Sequence, residues 1–159
     1  MPSKAIFAAG NFWDVQNAFE KIDGVIATVV GYIGGQTENP TYLQVAKGDT
    51  GHAEAVEVIF DSGITNFDNL LNIFFSIHNP TSLNRQGPDV GTQYRSAIFY
   101  LNEDQRTAAL SQIALLNTSR RYANPVVTEV TPASRFWTAE EYHQKYLQKP
   151  GETSCVYKI

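Results

Sequence analysis

The stretch Ala8-Ala9-Gly10-Asn11-Phe12-Trp13-Asp14 carries an apolar strand through a tight turn into the start of a helix. Residues 4–9 read as a short buried strand. Gly10 permits the turn, and Val15, Ala18, Phe19 and Ile22 then recur at the spacing of one helix face. Asn11 therefore falls at a helix N-cap, where free backbone N–H groups and the positive end of the helix dipole converge. The position suits a structural cap, because Asn is among the best capping residues and Asp14 adds a carboxylate to the first turn. It suits an active-site group equally well, since a helix start favours an anion. Phe12 and Trp13 follow at once and can wall a small apolar pocket beside it.

Outward from this stretch the chain alternates strands and helices. Residues 25–32 are rich in β-branched side chains and end at Gly34-Gly35, as a strand before a turn requires. Residues 52–61 alternate as a strand, with Ala53 and Ala55 on one face and Glu54 among apolar neighbours. Residues 66–78 carry Phe67, Leu70, Leu71, Phe74, Phe75 and Ile77 at helical spacing, and Asn79-Pro80 stops them. A strand over 94–100 and a helix over 103–119, amphipathic through Ala108, Leu110, Ile113, Leu115 and Leu116, come next. A strand over 126–130 follows, and Thr138 opens a last helix with Glu140 and Glu141 near its start. The order β-α-β-β-α-β-α-β-α predicts an α+β two-layer sandwich: a mixed, largely antiparallel sheet with packed helices and a ferredoxin-like core.

With 159 residues, 43% hydrophobic and 18% charged, the chain suits a single domain over 1–159. Twelve basic against sixteen acidic side chains give a net charge of -4, with no basic run that would track a phosphate backbone, so nucleic acid is not an expected partner. No stretch reaches the length of a membrane span and the N-terminus does not read as a signal peptide, which points away from a membrane and toward the cytoplasm. The single cysteine, Cys155, allows neither an intrachain disulfide nor a cysteine-based metal site. It follows breakers with no helical period, so residues from about 149 to 159 read as a mobile tail carrying an accessible, redox-capable thiol rather than an inert core residue.

Two long loops, over 36–51 and 81–92, read as ordered and functional, the first carrying Tyr42. Glu54 has a bland reading as an exposed strand carboxylate. It also has a sharp one: in an apolar pocket its charged form is disfavoured, and it becomes a proton donor near neutral pH. Other chemistries fail on residue content. His52-x-Glu54 lacks the cysteine pair of a zinc deaminase, the three histidines do not cluster, residues 31–35 are too short for a dinucleotide fingerprint, and no Gly-x-Ser-x-Gly elbow is present.

Six segments taken together resemble the peptide methionine sulfoxide reductase A family. They are Gly10-Asn11-Phe12-Trp13, Val30-Gly31-Tyr32-Ile33-Gly34-Gly35, Asn39-Pro40-Thr41-Tyr42, Gly48-Asp49-Thr50-Gly51-His52-Ala53-Glu54-Ala55-Val56, His78-Asn79-Pro80-Thr81, and the run from Arg85 to Ser96. The resemblance covers nearly the whole chain. It implies reduction of the S epimer of free and protein-bound methionine sulfoxide, with no cofactor and with thioredoxin as reductant. A cysteine thiolate attacks the sulfoxide sulfur, an acid protonates the oxygen, and the resulting sulfenic acid is resolved by a second cysteine.

By resemblance Glu54 is the acid, Tyr42 and Tyr94 donate to the same oxygen, and Asp89 supports this polar network. Phe12 and Trp13 hold the S-methyl group, and Cys155 is the resolving cysteine. The chain departs from the family pattern Gly-Cys-Phe-Trp at the attacking residue, where Asn11 stands. A carboxamide forms no sulfenic acid, so this form is expected to be inactive. Two readings follow: an active enzyme whose nucleophile has been replaced, which the intact remaining motifs favour, or a module that binds methionine sulfoxide without turnover. Asp14 and Gln16 also differ from the commonest family residues, Gly and Glu.

Overall fold

A computed structural model describes residues 2–148. Strand β1 (Pro2–Ala9) leads into helix α1 (Phe12–Glu20), and β2 (Val25–Ile33) returns beside β3 (Ala53–Asp61) after a short helix α2 (Tyr42–Ala46). Helix α3 (Phe67–Ser76) is followed by a small hairpin, β4 (Arg85–Gln86) with β5 (Asp89–Val90), and by a 3-10 turn over Thr92–Tyr94. Strand β6 (Ser96–Tyr100), helix α4 (Glu103–Thr118), β7 (Glu129–Pro132) and β8 (Trp137–Thr138) complete the regular elements. Two 3-10 turns, Glu141–His143 and Tyr146–Gln148, close the described chain.

Among the described residues the main sheet has six strands in the order β7-β6-β1-β3-β2-β8, with β6–β7 its parallel pair and the other pairs antiparallel. Its inner four strands, β6-β1-β3-β2, follow the order of a split βαβ ferredoxin-like core, so the expected mixed, largely antiparallel α+β sandwich is what forms. Alternation along β1 sends Ala5, Phe7 and Ala9 to the helical face. There they meet Phe12, Val15 and Phe19 of α1 and Leu70, Leu71, Phe74 and Phe75 of α3. Phe7 anchors the layer, stacking on Phe19, Phe74 and Phe67 at 5.1, 5.2 and 5.8 Å.

Ile6, Ala8, Ile33, Ala53, Ala55, Ala97 and Phe99 form a second cluster on the other face, against Ala133 and Phe136. Small side chains prevail there because backbone lies close: a Cβ on Gly31 would fall 2.4 Å from the Trp137 carbonyl oxygen and 2.6 Å from the Phe136 ring.

Four expectations need correction. The loop over 36–51 contains α2, closed by a capping box between Thr41 and Gln44. The strand expected over 126–130 begins at Glu129, because the Val126 N–H is taken by the Asn117 side chain and the Val127 N–H by the Pro80 carbonyl. On α4, Leu110 and Leu115 are 42% and 61% exposed, and the buried face is Gln105, Ala109 and Leu116. The helix expected from Thr138 does not form. Gln144 instead uses its side chain like a strand residue, accepting from the Val30 N–H at 3.0 Å and donating to the Val30 carbonyl at 3.0 Å. These tertiary bonds outweigh local helical preference. Cys155 and the tail over 149–159 lie outside the described residues.

Candidate active site

The site is built at the start of α1. Gly10 takes φ +94°, and a Cβ there would fall 2.9 Å from Cγ of Gln86, so the turn requires glycine on both counts. Asn11 caps the helix, its Oδ1 accepting from the Trp13 N–H at 2.8 Å. The Phe12 N–H is taken by Oε1 of Glu54 at 3.2 Å, across 42 residues of chain. Register explains the meeting: Ala53 and Ala55 point to the second cluster, so Glu54 between them points to the helical face and into the mouth of α1.

Glu54 is only 2% exposed, and its second oxygen, Oε2, has no hydrogen-bond partner among the described residues. Burial pushes its carboxyl up to about 8, the Phe12 N–H pulls the other way, and the charge of Asp89 adds to the rise. A neutral, proton-bearing acid therefore faces the helix start near neutral pH.

Around it stand aromatic rings from three elements. Phe12 and Trp13 are 6.1 Å apart between ring centroids; Tyr42 of α2 lies 6.3 Å from Phe12 and 5.8 Å from Trp13, and Tyr32 of β2 lies 5.7 Å from Phe12. Burial raises the Tyr42 phenol, and the charges of Glu54 and Asp89 and the neighbouring Tyr94 reinforce the shift. Tyr94 is pushed up to about 12 by burial, then by Glu54 and Asp89. Asp89 is itself raised, by burial and by Asp14 in the first turn of α1. These mutual effects put Tyr42, Glu54, Asp89 and Tyr94 in one electrostatic neighbourhood, beside Phe12 and Trp13. Both phenols keep their protons and remain donors at physiological pH.

The residues after β8 complete the outer wall, a contribution that the sequence reading missed. His143 Nδ1 accepts from the Trp13 indole N–H at 3.1 Å, and the Tyr146 ring stacks on Trp13 at 4.2 Å. Glu140 accepts from the Tyr32 hydroxyl at 2.8 Å and from the Tyr42 N–H at 3.0 Å. Burial alone would raise Glu140. The N–H groups of Tyr42 and of Glu140 itself, the Tyr32 hydroxyl and His143 together bring it below the ordinary carboxylate value. Gln16 ties this segment to α1: its amide donates to the Thr28 carbonyl and hydroxyl and accepts from the Lys145 N–H at 2.7 Å.

Buried side chains hold the two long loops in place. His52 accepts from the Gly35 N–H on Nδ1, which leaves Nε2 as the N–H donor to the Thr37 carbonyl. Gln86 brackets Asn79 through both its N–H and its carbonyl. His78 is buried against Phe74 and Ser96, and burial depresses it to about 4, which keeps it neutral. All three histidines are thereby engaged by protein groups rather than gathered at one point.

A family model described as peptide methionine sulfoxide reductase matches residues 3–159. The chain belongs to that family. It is 56% identical to peptide methionine sulfoxide reductase MsrA of Methanosarcina acetivorans over 148 residues, covering 93% of this chain and 79% of the relative. It is 55% identical to the MsrA of Methanothermobacter thermautotrophicus, covering 96% and 90%. Among solved structures, reduced Mxr1 from Saccharomyces cerevisiae superimposes with a TM-score of 0.90 at 31% identity, over 99% of this chain and 92% of that one. Methionine sulfoxide reductase chemistry is thus the family activity against which the site is to be judged.

Of the residues singled out in this reductase-family sequence, Asn11, Phe12, Trp13, Tyr42, Glu54, Asp89 and Tyr94 converge on the start of α1. Cys155 lies outside the described residues. Tyr32, Glu140, His143 and Tyr146 had to be found in the fold. Tyr32 stood within a quoted family segment, but the other three had only helical-looking spacing, which concealed their contacts.

Proposed function

We propose that this pocket binds the S epimer of methionine sulfoxide, free or within a protein, with its S-methyl group against Phe12 and Trp13 and its oxygen toward Glu54, Tyr42 and Tyr94. The observation that carries the reading is the buried, neutral Glu54 carboxyl at the N-terminus of α1, beside position 11. A thiolate at position 11 would gain from the helix start, and Glu54 would protonate the oxygen as the S–O bond breaks. The tyrosine hydroxyls would stabilise the charge developing on that oxygen, with Asp89 supporting the network. With Asn11 in place the nucleophile is missing, so this form binds without reducing. Cys155 is proposed as the resolving thiol and thioredoxin as the reductant, in the cytoplasm. Mxr1 has been solved in complex with Trx2, which supports a partner of that kind.

The test restores the nucleophile. Asn11→Cys should consume the S epimer with dithiothreitol and pass through a sulfenic acid trappable by dimedone. A folded N11C protein that forms neither product nor sulfenic acid removes the repair reading. Adding Cys155→Ser should spare one methionine equivalent per enzyme but stop thioredoxin-dependent cycling; full cycling would exclude Cys155 as the resolving residue.

A second reading, a sulfoxide-binding module in its own right, draws on the Asn11 cap, which gives that side chain structural work as it stands. Stereoselective binding of the sulfoxide by the unaltered protein, with no turnover after N11C, would favour it.

A further inference from the structure

The surroundings of Glu54 combine aromatic rings with carboxyl groups, the two kinds of group that hold a positive charge. Phe12, Trp13 and Tyr42 bring three rings together with centroids 5.8 to 6.3 Å apart, and the face of an aromatic ring attracts a cation placed over it. Asp89 raises Glu54 and Asp14 in turn raises Asp89, so negative groups stand close together here. Glu54 Oε2 is buried and has no hydrogen-bond partner among the described residues. Proton transfer from Glu54 to a sulfoxide oxygen would leave a carboxylate and a hydroxysulfonium, a sulfur bearing two alkyl groups, one hydroxyl and one positive charge, so charge and atoms balance. A site built to favour that pair should also hold a stable cation of the same shape.

We propose that this pocket binds alkyl sulfonium ions, in which a methyl group replaces the sulfoxide oxygen, with the sulfur against Phe12, Trp13 and Tyr42 and its charge balanced by Glu54 and Asp89. The inference rests on the sulfoxide reading of the same site and adds a ligand class of opposite pH behaviour. A sulfoxide needs Glu54 protonated, as a donor. A sulfonium needs it ionised, so binding expels the proton.

The groups facing Glu54 are the Phe12 N–H from α1, Tyr32 from β2, Tyr42 from α2, Asp89 from the hairpin and Tyr94 from the 3-10 turn. From the segment after β8, His143 packs against Phe12, Trp13 and Tyr42 at 5.5, 5.5 and 4.4 Å between ring centroids, and Glu140 accepts from the Tyr42 N–H. The phenols stay protonated below pH 9. His143 is retained in a Glu54→Gln variant, so any pH dependence that survives E54Q does not come from Glu54.

The experiment is calorimetric titration of the protein, Asn11 included, with three blocked amino acids: N-acetyl-S-methylmethionine methylamide, the corresponding thioether, and the S-epimer sulfoxide. At pH 9 the sulfonium should bind about tenfold tighter than the thioether. Its affinity should fall about tenfold at pH 7, where Glu54 must first lose its proton. At pH 7 close to one proton should leave on binding, read from the dependence of enthalpy on buffer. Sulfoxide affinity should change in the opposite direction. E54Q should abolish the pH dependence of sulfonium binding, and D89N, tested in parallel, should weaken the sulfonium alone.

A sulfonium that binds no tighter than the thioether, or a pH dependence unchanged in E54Q, overturns the proposal. Should E54Q fail to fold, a D89N protein with undiminished sulfonium affinity overturns it independently. Sulfonium binding without sulfoxide binding would sink the sulfoxide reading while leaving the cation site standing. Sulfoxide binding without sulfonium binding would sink this inference alone.

Discussion

Two glutamates border the aromatic wall of Phe12, Tyr32 and Tyr42, and the fold drives them in opposite directions. Glu54 receives one N–H, from Phe12, leaves its second oxygen unbonded and is pushed up to about 8. Glu140 receives the Tyr42 N–H on one oxygen and the Tyr32 hydroxyl on the other and is held below the usual carboxylate value. Burial opposes charge in both, and donor count together with depth decides the sign. Glu54 is thus equipped to give a proton and Glu140 to stay a fixed anion that positions Tyr32 and α2. A pair of carboxyls separated in this way supports the proposed role of Glu54 as the acid without reference to any motif.

The contrast can be broken first at its chemical end. In an N11C background, E54Q should slow single-turnover reduction by about 100-fold or more, the usual worth of a positioned acid, whereas E140Q should retain proton donation. Equal losses in the two variants would erase the distinction. The N11C rate itself should fall as pH rises through about 8, where Glu54 loses its proton.

Stability sharpens the comparison next. The folded state holds the Glu54 proton more tightly than the unfolded chain, so this contribution is fully present below the ordinary carboxyl value of 4.5. It is lost as pH rises toward about 8. E54Q should therefore flatten that decline and be more stable than the parent at pH 9 by a few kcal/mol, measured by urea unfolding. His78, depressed to about 4, gives the reverse slope: its contribution is complete above 6.5 and is lost as pH falls toward 4.

Smaller effects belong to the Glu140 side. E140Q removes the anion but leaves an acceptor, and should cost roughly 1 to 2 kcal/mol after allowing for its partial exposure. Tyr32→Phe, which removes one donor and leaves the carboxylate its others, should cost about 1 kcal/mol. A Tyr32→Phe loss exceeding that of E140Q would mean that Tyr32 acts elsewhere than through Glu140.

Legibility in the sequence follows the same division. The Glu54 side rests on local regularities: the alternation of β1 and β3, the glycine turn at Gly10, the cap at Asn11 and the period of α1 are all visible as short-range patterns. Period two also places Glu54 on one face of its strand, although only the fold shows what that face meets.

The Glu140 side is assembled from contacts across about a hundred residues, such as Glu140 with Tyr32 and Gln144 with Val30, separated by 108 and 114 positions. Its local spacing suggested a helix from Thr138, and hydrogen bonds to β2 override it. Leu110 and Leu115 misled for a related reason, since apolar spacing on α4 exceeds the width of the face it buries. Of the site, the residues within the quoted motifs were legible, and the outer wall of His143 and Tyr146 was not.

The Gln144 amide has a consequence beyond the pocket. With β8 pairing at Gly31 and Tyr32, and Ala139 and Gln144 satisfying Val30, the outer border of β2 carries its own cover at these positions. A bare strand border offers a template on which another molecule can add a strand of its own. Shortening the chain ahead of residue 137 would uncover that template, and such a protein should assemble side by side into aggregates even where its interior packing is undisturbed.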